Sequence, residues 1–357
     1  MRAFLTVSIL LLAATVGFAE DPMVVLATTR AGRIEAFDEA LNRLGTIGIN
    51  QLVESVSASP DGHKLYIAQE YRGECCSLYA LDMQTLRMCS FAGSTMFAVP
   101  SADGHSIFTQ GSRGVDEYDA DSLRLRMLRK APGTYNLQPS PDGKWLLGIT
   151  NSEGPSLDVF DLSHSGVDRR IEIPTGPATG AWAGDRFYLF SYSAPGKGSL
   201  WSVKPEDTKL SQPKEIELPD LHAACNQPVL LMLAGAADKL FLAEAFGYKI
   251  DRRKACPDVT AGGIYVIEPS TGHVNRIAAS VRVNRMVVTP DGHDIYAIHS
   301  ASPARQSEVH LMHIDANSGR TLAFTTLESG DWNLTLTHTP ATLLPRGYVR
   351  AAIACSH

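Results

Sequence analysis

Apolar and polar positions alternate along this chain in short runs, and each run stops at a turn. The stretch Ser57–Met88 shows the unit. KLYIAQ (64–69) and SLYALD (77–82) read as strands, because aromatic and aliphatic residues crowd into runs of strand length between turn signals. Ser-Pro-Asp-Gly at 59–62 is the turn before the first of them. Proline presets φ, aspartate bonds the local backbone and glycine accepts a positive φ.

The unit recurs to the C-terminus. The end of a third strand, an apolar run stopping at a turn residue, appears seven times: RIEAFDEAL (33–41), LYALDMQTL (78–86), DEYDADSL (116–123), LDVFDLSHS (157–165), LWSVKPEDT (200–208), IYVIEPSTG (264–272) and LMHIDANSG (311–319). The turn before the second strand appears six times, as SPDGHKLYIA (59–68), SADGHSIFTQ (101–110), SPDGKWLLGI (140–149) and TPDGHDIYAI (289–298), with degenerate forms AGDRFYLF (183–190) and AADKLFLA (236–243). The mismatch is informative. The chain opens directly on a second strand at Met23-Val24-Val25-Leu26, and after the last marker it adds LAFTTL (322–327) and WNLTLTH (332–338). The last of these has the alternation of a missing first strand. About four strands per unit and a period of roughly 40–50 residues predict an all-β, seven-bladed β-propeller. Its N- and C-terminal strands share one blade, and residues 23–357 form a single propeller domain. A linear solenoid would need polar caps, and both ends here are strand-like.

The units resemble YVTN-type propeller repeats, in the superfamily that also holds the β chains of quinoprotein amine dehydrogenases and the seven-bladed lactonases. The matching residues are the SPDG-type turns followed by KLYIA, KWLLGI and DIYAI, with the hairpins IEPSTGH (267–273) and IDANSGR (314–320). The resemblance covers nearly all of residues 23–340. The tetrapeptide YVTN and the Trp-Asp dipeptide of WD40 repeats are both absent. These are scaffold residues, so the resemblance implies a fold far more sharply than a function. In the amine dehydrogenases the quinone belongs to a separate small chain, so no residue here is assigned as cofactor-bearing and no cofactor is identified. A lactonase acid, base and arginine are likewise not assigned to residues of this chain.

Composition sets the compartment and excludes some partners. Of 357 residues 44% are hydrophobic and 20% charged, with a formal net charge of -6. That mild acidic excess argues against nucleic acid or an anionic membrane as a general partner. Residues 1–19 read as a signal peptide, with Arg2 as the charged start, Phe4 to Val16 as the apolar run, and Gly17 and Ala19 as the small residues before a cut after Ala19. The expected protein is exported, periplasmic or extracellular, with no membrane span after cleavage. Export permits disulfides among Cys75, Cys76, Cys89, Cys225, Cys256 and Cys355. Cys225 and Cys256 fall on the same face of the sixth blade and are the expected bridge. Cys75 and Cys76 are adjacent, and either bond each other, as the quinoprotein resemblance suggests, or take separate partners. Cys89 is out of register with Cys75, and Cys355 has no evident partner.

Binding function concentrates in variable loops on a fixed frame. The loops entering first strands and those joining second to third strands share one face, and the SPDG turns lie on the other. On the loop face, Arg30, Glu54, Glu70, Arg113, Asn136, Asn226, Glu244, Asn284, Arg285, His299 and Asn333 are candidates for a polar axial funnel that binds a ligand; the alternative is a wet, unused centre. The longest loop, 243–263, carries Lys249, Arg252, Arg253 and Lys254. It is either a contact for a protein or small acidic ligand, or a solvated insertion. The function expected is a ligand- or protein-binding scaffold, alone or as a subunit of a larger complex. The alternative is an enzyme or enzyme subunit of the dehydrogenase or lactonase kind. No metal site is expected: His310 and His313, at odd spacing in a strand, face opposite ways. The chain has no HExxH, paired CxxC, CxxCH, GxSxG or P-loop motif. Asn333-Leu334-Thr335 fits an N-glycosylation acceptor pattern in a strand.

Overall fold

Neighbouring residues of the strand Val24–Thr29 serve opposite sides of the molecule. Val24 and Leu26 pack in one hydrophobic cluster with Val53, Leu65 and Ile67. Val25 and Ala27 pack in another with Tyr296, Ile298 and Leu311. All four are at most 1% exposed. A strand covered on both faces needs an apolar residue at nearly every position, which is why the runs VVLA, KLYIA and RFYLF are so continuous. A computed structural model of the chain describes residues 22–355 apart from 30, 50–51, 72–73, 94–96, 112, 151–153, 164–168, 175–177, 195, 220–230, 245–261, 301–308 and 329–331.

Among the described residues the strands form seven sheets, five of four strands and two of five. Each sheet is a blade of a β-propeller. The innermost strands are Trp332–Thr337 in the closing blade and, in blades 2 to 7, Leu52–Ala58, Ala98–Pro100, Thr134–Pro139, Ala178–Ala183, Leu231–Ala236 and Val283–Val288. Each touches the next, and Val283–Val288 touches Trp332–Thr337, so the ring is closed. The core is not one mass. It is a ring of seven clusters, one at each blade junction.

Closure follows the expected route. Trp332–Thr337 pairs antiparallel with Val24–Thr29, with Thr337 opposite Val24 and Trp332 opposite Thr29. The N-terminal segment therefore supplies the outer strands of a blade whose inner strand comes from the far end of the chain.

The SPDG turns are more elaborate than proline, aspartate and glycine alone predict. In blade 2 Ser59 Oγ donates to Asp61 Oδ1 (2.5 Å) and accepts from Lys64 N (2.9 Å), while Asp61 Oδ1 also accepts from His63 N (3.0 Å). Ser101 with Asp103, Ser140 with Asp142 and Thr289 with Asp291 repeat the pattern. Gly62 takes φ 69° in this turn, and Gly62 N donates to Ser59 O (2.9 Å). Burial of Asp61 works to raise its pKa, but the bonds from Ser59 and His63 outweigh it and the carboxyl lies below its ordinary value.

One element is new. After closure the chain runs through a 3-10 turn, Ala341–Leu343, and forms two further strands. Gly347–Arg350 pairs in parallel with Arg43–Gly48, the outer strand of the closing blade. Ala352–Cys355 pairs in parallel with Arg87–Gly93, the outer strand of blade 2. This C-terminal strap explains the two five-stranded sheets. In sequence GYVR and AIAC are too short and too mixed to register as strands.

Candidate functional site

At the loop-face end of the ring the first residues of the inner strands lie together, and there several of the strands are irregular. The register of blade 2 shifts between Val53 and Ser55, that of blade 4 between Tyr135 and Gln138, and that of blade 7 between Val283 and Arg285. Glu54, Asn136 and Asn284 each sit in one of these bulges. A bulge adds a residue to one strand and re-aims its side chain, so three blades turn a polar group at comparable positions.

The structure brings four of the sequence candidates together. Arg285 donates from Nε to Asn333 Oδ1 (3.1 Å) and from Nη1 to Asn284 O (2.9 Å). Asn333 donates from Nδ2 to Glu54 O (2.8 Å). These contacts make an arc across blade 7, the closing blade and blade 2. Asn284 Oδ1 is buried with no hydrogen-bond partner among the described residues, and Glu54 Oε1 is likewise shielded from solvent. The arc thus joins the Arg285 guanidinium, the Asn333 amide and the backbone carbonyls of Asn284 and Glu54. Further down, Thr335 Oγ1 donates to Val56 O (2.6 Å) and Ser57 Oγ to Ala98 O (2.7 Å). On the far side Gln138 Nε2 donates to Gly180 O (2.6 Å). Some polar residues of the inner strands therefore stitch blade to blade. The side chain of Asn333 is engaged on both its oxygen and its nitrogen, which disfavours it as a glycosylation acceptor.

Three other candidates lie elsewhere. Asn136 is exposed at φ 52°. Arg113 is exposed in the turn between the second and third strands of blade 3, where its charge acts on Asp116. Burial raises the Asp116 carboxyl above its ordinary value, and Arg113 opposes that rise. His299 accepts from Arg282 N through Nδ1 (3.0 Å) and stacks on His310, centroids 6.2 Å apart, so its ring is tied to the connection entering blade 7 rather than to the arc. Burial, the largest influence, lowers its pKa. His313, three residues from His310, contacts Asp294 (2.7 Å) and stacks on Tyr296. Arg30, Asn226, Cys225, Cys256 and the basic residues Lys249, Arg252, Arg253 and Lys254 lie outside the described residues, as do the side chains of Glu70, Glu244, Cys75 and Cys76. Among the described residues no group of three or more His, Cys, Asp or Glu is placed to hold a metal ion, and no helix is long and apolar enough to cross a membrane.

Sequence reasoning overlooked several buried charges. Glu35 is 0% exposed and contacts Arg43 Nη2 at 2.8 Å. Burial raises its carboxyl above the ordinary value despite Arg43 and Arg33. Glu117 and Arg129 meet at 3.6 Å, both buried. The available signal was a charged residue inside an apolar third strand, as in RIEAF. The SPDG face is not featureless either. Between blades 4 and 5 a cleft of about 300 Å³ is lined by Trp145, Trp182, Asp142, Asp185, Lys204 and Glu206, among others.

No family model matches the chain, and no curated protein does. Its fold is shared with solved propellers. The periplasmic gluconolactonase of Pseudomonas aeruginosa aligns with a TM-score of 0.59 at 15% identity, over 89% of this chain and 99% of that one. Hydrazine synthase of Kuenenia stuttgartiensis aligns at 0.54 and 13% identity, over 73% and 76%. TolB of Acinetobacter baumannii aligns at 0.52 and 12% identity, over 88% and 66%. The chain is a seven-bladed β-propeller. At these identities the likeness establishes the fold and leaves the activity to the site.

Proposed function

We propose that this chain is an exported binding propeller that takes a small anionic ligand at the loop-face mouth of its axial channel. The observation that carries the reading is the arc in which Arg285 is held by Asn333 and Asn333 by Glu54. A guanidinium fixed by bonds to an amide oxygen and a backbone carbonyl loses little freedom when it engages a carboxylate, and its planar donors match that group. Export is supported by the composition of residues 1–19 and by likeness to a propeller described as periplasmic.

Titration calorimetry with gluconate and citrate tests the site. Arg285→Leu is expected to weaken binding by roughly 10–100-fold, the worth of a charge-assisted hydrogen bond. The triple change His63→Ala, His105→Ala and His293→Ala on the SPDG face leaves binding unchanged. Equal loss from both variants, or no binding by the wild type, rejects the reading. N-terminal sequencing of exported protein is expected to begin at Glu20.

Lactone hydrolysis is the second reading, supported by overall likeness to a gluconolactonase along nearly that protein's whole length. Hydrolysis of glucono-δ-lactone by the isolated chain, lost in Arg285→Leu, would replace binding by catalysis at the same arc.

A further inference from the structure

The C-terminal strap joins two blades that are already neighbours, and it does so at their outer edges. Leu344 and Ala351 are 7% and 8% exposed and share a cluster with Ile47 of the closing blade and Met88 of blade 2. Ala351 N donates to Gly48 O, and Ala352 N to Leu86 O, both at 3.0 Å, so the chain passes from one blade to the other within two residues. The outer strand of the closing blade is shaped to receive it. A Cβ at Gly45 would lie 1.9 Å from Pro345 O, and one at Gly48 2.1 Å from Tyr348 Oη. Both glycines leave room for the strap.

The register at its end is set by an irregularity. Ala352 is opposite Arg87 and Ile353 opposite Met88, but the next pair is Cys355 with Cys89. The strap carries one extra residue there. Without it Ala354 would face Cys89, and Cys355 would face Ser90. The bulge brings the two cysteines opposite each other. Cys89 is disulfide-bonded. Within its own blade it is opposite Ala80, several residues along the strand from Cys76, too far for a bridge.

We propose that Cys89 and Cys355 form a disulfide, and that this bond latches the strap across the closing blade and blade 2. Formation oxidises two thiols. One thiolate displaces a sulfur of a disulfide-bearing oxidant to give a mixed disulfide, and the second thiolate displaces the oxidant's sulfur from it. Two S–H bonds are lost and one S–S bond is made. The oxidant's own S–S bond is broken, and the two electrons and two protons pass to it, so that it departs as a dithiol. The bond closes a loop over most of the chain, where cross-linking restricts the unfolded state most. It also tethers the strap beside the blade in which both chain ends meet. Reduction would free the last strand while leaving the seven inner strands paired, which makes the latch redox-sensitive. It assigns a partner to Cys355 and leaves four cysteines, two of them the expected Cys225–Cys256 pair.

Peptide mapping of the full chain, secreted into an oxidising compartment and alkylated before digestion, is expected to show the Cys89 peptide joined to the Cys355 peptide. Joining of Cys89 to another cysteine, or alkylation of both thiols, overturns the proposal. Hydrogen exchange before and after reduction tests the latch. Residues 347–355 are expected to lose protection on reduction, while Val24–Thr29 and Trp332–Thr337 keep theirs. Unchanged protection of the strap after reduction overturns its role as a latch. Cys355→Ser is expected to exchange like the reduced wild type, and Gly45→Val, which displaces the strap without touching sulfur, is expected to lower the yield of the linked peptide. Full yield from Gly45→Val would show that linkage does not depend on strap docking and would also overturn the latch.

Discussion

Arg285 and Asn333 meet at 3.1 Å across the junction where the ring closes, and the same asparagine reaches on to the carbonyl of Glu54 at 2.8 Å. One amide therefore ties three blades together where the ring closes. Asn333→Ala removes both bonds and leaves Arg285 Nε and the Glu54 carbonyl without them. The expected cost is about 1–3 kcal/mol, read as a lower urea midpoint with an unchanged slope.

The opening residue of the SPDG turn is expected to matter more than its proline. Ser101 is 3% exposed, donates to Asp103 and accepts from Ser106 N. Ser101→Ala strands that buried N–H and should cost about 1–3 kcal/mol. Ser101→Thr should be close to wild type, because Thr289 makes the same contacts in blade 7. Chemical denaturation of both variants checks this; equal destabilisation would refute the role of the hydroxyl.

Acid should loosen the hairpins between third and fourth strands. Asp119 accepts from Ser122 N (2.6 Å) and Ser122 Oγ (2.8 Å), and these bonds, with Arg126 beside them, hold its carboxyl at about 2 against an ordinary 3.8. A depressed folded value means that the stabilisation is present above the unfolded pKa and is lost as pH falls through the folded one. The window lies between about pH 4 and pH 2. Asp119→Asn should lower the melting temperature at pH 7 and flatten its fall across that window. Asp82 and Asp315, depressed in the same direction, should add to the acid limb.

Glu35 should behave oppositely. Burial raises its folded pKa above the unfolded value, so the folded state holds the proton more tightly and stability is lost as pH rises through that interval. Glu35→Gln removes the cost of a buried charge, while Arg43, half exposed, keeps access to water. The variant is expected to gain more melting temperature at pH 7 than at pH 4, where the native carboxyl is nearer to neutral. A larger gain at pH 4 would contradict this assignment.

The chain's own pattern determined the blades, their number and the way the ring is closed. Those properties follow from local physics: continuous apolar runs for strands covered on both faces, and turn residues whose preferred φ angles are intrinsic. The surplus strand WNLTLTH and the missing one before Val24 could therefore be matched by counting. The pattern also nominated Glu54, Asn284, Arg285 and Asn333 as polar residues near the axis, but not that they touch. Only the tertiary structure decided that, because contact between Glu54 and Asn333 requires the ring to be closed, and bulges at Glu54 and Asn284 shift the register by one residue. It also separated His299 and Arg113 from the arc, since side-chain direction depends on the connection each strand packs against. The strap was decided by tertiary structure alone. Its strands add in parallel to distant edges, with no hairpin turn to announce them, and the facing of Cys355 with Cys89 depends on a bulge that nothing in the local sequence marks.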